Sequence, residues 1–133
     1  MADWGYEAGH FEPDRGPVVL LVEDEMIVAF DIADQLTCAG YLIDGPYPSI
    51  ARALSALAMA RPDVAILDVQ LIDGEVYPVA DRLCAIGVPI VFHSCHAMPA
   101  DLYASYPGSA VCMKPCRGGR LEQAVRTVLS AIA

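Results

Sequence analysis

Apolar residues along the chain fall into two alternating patterns. Short unbroken runs lie within 17–22, 41–45, 63–68, 88–92 and 110–113, each bounded by turn-forming or charged residues. Runs of this length predict strands, and the most apolar of them predict strands buried on both faces of a sheet. Between them lie longer segments whose apolar residues recur every three to four positions, the period of a helix with one buried face. Met26, Phe30, Ala33 and Leu36 mark such a face over 25–39, and Gly40 supplies the stop. Ile50, Leu54, Leu57 and Ala58 mark the next, which has Ser49 as N-cap and runs to about residue 60. Pro78 suits the first turn of a third helix, which carries Val79, Leu83 and Ile86 and is closed by Gly87. A short helix is expected over 99–105. The last, over 119–132, buries Leu121, Val125, Val128, Leu129 and Ile132.

Five strands alternating with five helices predict an α/β fold, a parallel sheet covered on both faces. Residues 17–133 form this domain, and the polar, acidic stretch 1–16 is expected to be a flexible tail that Trp4, Tyr6 and Phe11 could dock. All carboxyl ends of a parallel sheet lie on one edge, where ligands and chemistry collect. Four strands end there in a reactive group: Glu23-Asp24, Asp68, Ser94 and Lys114. Asp68 stands out because Val64-Ala65-Ile66-Leu67 runs straight into it. We read it as a nucleophile that takes up a phosphoryl group. Neighbouring carboxylates repel unless a cation joins them, and oxygen ligands of this kind suit Mg²⁺. Lys114 and Ser94 would share charge on the transferred group. Taken singly, each residue has a plainer role. Asp68 could cap a turn, Ser94 could be structural and Lys114 solvated. Glu25 fits a helix-dipole charge best and is left out of the site. His93 is read as a strand or loop residue with no ligand role.

Composition narrows the function classes. The 133 residues suit one domain and are 56% hydrophobic, enough for a sizeable core. No apolar run approaches a membrane span, and no secretory signal is visible, so the protein is expected to be cytoplasmic and off the membrane. A net charge of -9 disfavours direct nucleic-acid binding. Cys38, Cys84, Cys95, Cys112 and Cys116 show neither disulfide nor zinc spacing and read as small buried thiols.

The motifs VVLLVEDE, AILDVQL, VFHS and MKP, in this order at strand ends, resemble the receiver domains of two-component response regulators, the CheY-like superfamily. The resemblance spans about residues 17–132. It implies a flavodoxin-like three-layer (βα)₅ sandwich with sheet order 2-1-3-4-5. It implies that Asp68 accepts phosphate from a histidine kinase with Mg²⁺ as cofactor. Asp24 would bind the metal directly, Glu23 mostly through water, and Gln70 through its backbone carbonyl. Ser94 would contact the phosphoryl group, Lys114 would form a salt link, and the Lys114-Pro115 bond would be cis. The stretch GEVYPVADRL with GVPIVFHSCH is similar to alphaproteobacterial single-domain receivers whose fourth strand ends in Phe-Ala-Thr-Gly-Tyr. Phe92-His93-Ser94-Cys95-His96 stands there in this chain.

The resemblance also bears on read-out and on phosphoryl lifetime. Val111 occupies the position of an aromatic switch, three residues before Lys114, so either output uses another element such as 94–101 or switching is weak. Gln70 and His96 match positions that tune dephosphorylation, and His96 is expected to shift the phosphoryl lifetime. The chain then reads as a stand-alone phosphoacceptor, catalysing at most its own phosphorylation and dephosphorylation. Its output would be contact with a downstream protein or a phosphorelay step, and a homodimer through the fourth and fifth helices is open. One alternative is an aspartyl-phosphate phosphatase, disfavoured because Gln70 replaces the acid such enzymes use. The other is an unphosphorylated binding module, disfavoured by the intact Asp68, acidic pair and Lys114.

Overall fold

The strand that runs into Asp68 lies in the middle of the sheet. The computed structural model describes residues 15–95, 99–116 and 119–131. Its elements are β1 (Val18–Val22), α1 (Met26–Cys38), β2 (Leu42–Tyr47), α2 (Ile50–Met59), β3 (Val64–Asp68), β4 (Gln70–Leu71), β5 (Gly74–Glu75), α3 (Tyr77–Ala85), β6 (Ile90–Ser94), α4 (Pro99–Ser105), β7 (Ala110–Met113) and α5 (Arg120–Ala131). Five strands form one parallel sheet in the order β2-β1-β3-β6-β7. Counting only these five, the order is 2-1-3-4-5, the flavodoxin-like arrangement that the motifs implied.

Alternation along each strand divides the core in two. Val19 and Leu21 of β1, Val64 and Ile66 of β3, and Val91 of β6 pack with Ala29, Ile32 and Leu36 of α1 and Leu121, Val125 and Val128 of α5. Leu20, Val22, Ala65, Leu67 and Phe92 pack instead with residues of α2, α3 and α4. Every residue of β3 and β6 is buried. Each fully buried Val, Leu or Ile of these strands contributes about 1.5–3 kcal/mol. Among the described residues no helix is long and apolar enough to cross a membrane.

Several helix faces differ from the periodicity reading. The buried residues of α1 are Ala29, Ile32 and Leu36, whereas Phe30 is 58% exposed and Met26 also faces solvent. The helix is apolar on more than one side, so two phases fit its pattern, and the smaller side chains of Ala29 and Ile32 win the place against the sheet. In α2 the buried residues are Ala53, Ala56 and Leu57, and Leu54 is exposed. Cys38, Cys84 and Cys95 are exposed rather than buried; all five cysteines are free. Ser49 caps α2 as expected, accepting from Arg52 N. Gly40 and Gly87 take positive φ where helices end.

The segment after Asp68, read as a loop, contains the small antiparallel hairpin β4–β5. Asp73 Oδ1 and Oδ2 accept from the backbone N–H groups of Ile50 and Ala51, so the hairpin tip closes the start of α2. Of the expected tail only residues 15 and 16 are described. Gly16 lies so close to Gly40 that an added Cβ would stand 1.6 Å from its carbonyl oxygen. Ile132 and most of the tail, including Trp4, Tyr6 and Phe11, lie outside the described residues.

The corrected face of α1 is testable by urea unfolding. Leu36→Ala is expected to cost about 2–5 kcal/mol. Phe30→Ser is expected to stay within about 0.5 kcal/mol, as an exposed substitution does. Equal losses would restore the other phase of the helix.

Candidate functional site

Rows of core residues on one side of the sheet continue directly into polar ones. Val19 and Leu21 lead to Glu23, Val64 and Ile66 to Asp68, Val91 to His93, and Ala110 and Cys112 to Lys114. The register places Asp68 level with His93, and His93 level with Cys112. Glu23 follows Val22, which is level with Leu67. The apolar rows thus fix where the charges stand.

Lys114 sits at the centre. Its Nζ lies 3.0 Å from Glu23 Oε1, 3.2 Å from Asp68 Oδ2 and 3.4 Å from Glu25 Oε1. Glu23 is 1% exposed, and Asp68 is also buried. The backbone anchors this geometry at both sides. Lys114 N donates to Ser94 O at 2.8 Å, and Glu23 N donates to Tyr47 O at 3.0 Å. The second carboxylate oxygen of Glu23 accepts from Glu25 N at 3.1 Å. The Lys114-Pro115 peptide is cis, as is Gly45-Pro46.

Glu23, Asp24 and Asp68 can offer one carboxylate oxygen each within 4.8 Å of one another, an acidic group that could hold a metal ion. The trio fits a hard divalent cation on its chemistry, since it supplies oxygen donors only and more negative charge than one ammonium balances. Burial pushes Glu23 up to about 7, with Asp68 adding to the rise and the Glu25 N–H and Lys114 opposing it. Burial opposes the charge of Lys114, but Glu23 and Asp68 outweigh it and hold the ammonium above its ordinary range.

Ser94 ends β6 and is buried. Gln70 is exposed, and its side-chain amide donates to Glu75 across the hairpin. His96 lies outside the described residues. Two neighbours escaped the sequence reading. Glu25, set aside there, reaches Lys114. His93 is 4% exposed, with Nδ1 3.9 Å from Glu23 Oε1. Burial, with Lys114 beside it, pushes His93 down to about 4, so its imidazole is neutral. The period-two alternation could have flagged His93, since it falls in the row that ends at the acids. Val111 is level with Phe92. The nearby aromatic is Tyr106, whose ring stands 5.3 Å from Phe92, stacks on Tyr77 and donates its hydroxyl to Asp81.

Solved structures similar to this chain include receiver domains of response regulators. The response regulator receiver protein from Sinorhizobium medicae WSM419 is 31% identical, with a TM-score of 0.77, over 89% of this chain and 98% of that one. The signal receiver domain of a modulated diguanylate cyclase from Desulfovibrio desulfuricans G20 is 25% identical, with a TM-score of 0.76, over 87% and 95%. A response regulator from Chloroflexus aurantiacus J-10-fl is 24% identical, with a TM-score of 0.75, over 87% and 99%. No family model matches the chain, and neither does any of the curated proteins.

The raised Glu23 has a definite pH consequence. The folded chain holds that proton more tightly than the unfolded one. The associated stability is therefore present at low pH and is lost as pH rises from about 4.5 to about 7. A divalent cation needs the ionised form. Its affinity is expected to rise roughly tenfold from pH 6 to pH 8, as for one group titrating midway. Calorimetric titration at the two pH values checks this, and Glu23→Gln is expected to flatten the dependence.

Proposed function

Since the chain belongs to the receiver domains of response regulators, we propose that it is a phosphorylation switch with Asp68 as the acceptor. The observation that carries this reading is the buried Asp68 carboxylate held 3.2 Å from the ammonium of Lys114, beside two further acids. A carboxylate so placed is aimed and cannot drift. An Asp68 oxygen attacks phosphorus of a phosphohistidine donor, the P–N bond breaks, and the imidazole leaves with the electron pair and takes up a proton. The product is an acyl phosphate on Asp68. Lys114 follows the new charge, and the Ser94 hydroxyl contacts a phosphoryl oxygen. Glu23, Asp24 and Asp68, with the Gln70 carbonyl, would hold Mg²⁺, which when bound neutralises phosphoryl oxygens.

The donor in this reading is a histidine kinase. It has to approach the edge where Asp68 opens, and α1 begins there with Met26, Ile27 and Phe30 exposed. This apolar step beside the acids suits a docking protein better than solvent. Output then passes by protein contact to a downstream target. The phosphatase alternative lacks a general acid at Gln70, whose amide is engaged with Glu75.

Addition of Mg²⁺ and beryllofluoride is expected to shift the backbone NMR signals around Asp68, Ser94 and Lys114 in the wild type and not in Asp68→Asn. Identical spectra for the two proteins would remove the switch reading. Phe30→Asp is expected to slow transfer from a phosphohistidine protein and to spare transfer from a small acyl phosphate. Equal slowing of both would place the docking surface elsewhere.

A further inference from the structure

His93 is a buried polar side chain with nothing to do in the resting site. Neither Nδ1 nor Nε2 has a hydrogen-bond partner among the described residues. An imidazole buried in that way destabilises the fold, because each lost hydrogen bond to water goes unreplaced. The strand would tolerate an apolar residue at this place, since Val91 two residues earlier faces the same core. What the imidazole does face is Glu23. Nδ1 lies 3.9 Å from Glu23 Oε1, about one ångström too far for a hydrogen bond.

Glu23 has a problem that His93 can solve. Its Oε1 relies on Lys114, and Lys114 is shared with Asp68 and Glu25. A phosphoryl group on Asp68 brings new anionic oxygens to the same ammonium and draws it away from Glu23. The other Glu23 oxygen accepts from the Glu25 N–H. A buried carboxylate stripped of its cation needs another donor.

We propose that His93 is a positioning residue: when Lys114 turns to the phosphoryl group of Asp68, the Nδ1–H of the imidazole closes onto Glu23 Oε1. Glu23 thereby stays aimed at the metal while the acyl phosphate lasts. The inference rests on Asp68 as acceptor. It assigns to this chain a donor that works in the loaded site and stands idle in the resting one.

The test measures Mg²⁺ binding with and without beryllofluoride on the full chain. With beryllofluoride, His93→Phe is expected to weaken Mg²⁺ binding roughly tenfold, the worth of one hydrogen bond to a charged group. Without it, the loss is expected to stay below about twofold, because Lys114 still serves Glu23. His93→Asn returns an amide N–H near the Nδ1 place and is expected to restore most of the loaded-state affinity. Equal losses in both states, or an Asn variant as weak as the Phe variant, mean that His93 only fills space, and overturn the proposal. The wild type gives an answer that needs no variant to fold. In ¹⁵N imidazole spectra with Mg²⁺ and beryllofluoride, His93 is expected as the Nδ1–H tautomer with a hydrogen-bonded proton. The Nε2–H tautomer in that state overturns the proposal. A wild type that takes up no beryllofluoride overturns the acceptor reading itself, a failure visible before His93 is touched.

Discussion

One half-buried ammonium holds this structure's functional edge together. Lys114 is within ion-pair distance of three carboxylates from two segments of chain. With Asp24 beside them, four acids share one cation. At these distances each uncompensated pair of like charges repels by several kcal/mol in a partly desolvated site. The imbalance is eased in two ways that the structure shows. Glu23 holds its proton up to about 7. Lys114 is held charged well beyond its ordinary range. Neither removes the surplus of negative charge, and that surplus is what a divalent cation would meet.

The sheet is what allows such a site to exist. Its charged residues are the next steps of buried rows, so the hydrophobic effect that folds the strands also sets the positions of the charges. Val64, Ile66 and Leu67 are nearly inaccessible, and Asp68 follows them without a loop in between. Moving the register by one residue would send every side chain to the other face of the sheet, against the wrong helices, which makes the placement stiff. The hairpin β4–β5 continues this control past Asp68. Its tip residue Asp73 binds the first amides of α2, tying the loop after Asp68 to the layer that α2 and α3 form on one side of the sheet.

Much of this was legible in the sequence because its carriers are long and repeated. Unbroken apolar runs ending in Glu23, Asp68, Ser94 and Lys114 already implied a parallel sheet with those groups on one edge, and the structure brings Glu23, Asp68 and Lys114 into contact. The parts that were not legible lack such redundancy. The two-residue strands of β4 and β5 are too short to show a period. The face of α1 was misread because Ile27, Phe30 and Met26 are as apolar as Ile32 and Leu36, and only packing against the sheet chooses between them. Glu25 looked like a helix-terminal charge, and its long side chain reaches Lys114 all the same. His93 looked incidental because a single histidine in an apolar strand has no pattern around it.

The position of the unread residues says something about how such a site responds. A site in which every charge is balanced and every donor engaged has no reason to change when a ligand arrives. Here the ammonium is overcommitted, burial makes Glu23 hold a proton to higher pH than an ordinary carboxylate, and the imidazole nitrogens have no hydrogen-bond partner among the described residues. A small shift of Lys114 therefore alters the state of several neighbours at once, which is the kind of differential interaction a ligand needs in order to move an equilibrium. The aromatic that would sense the shift at position 111 is a valine. The space beside Phe92 is closed instead by Tyr106, which is linked to α3 through Asp81. Phe92 of β6 thus packs in one cluster with Tyr106, at the end of α4, and with Tyr77 of α3.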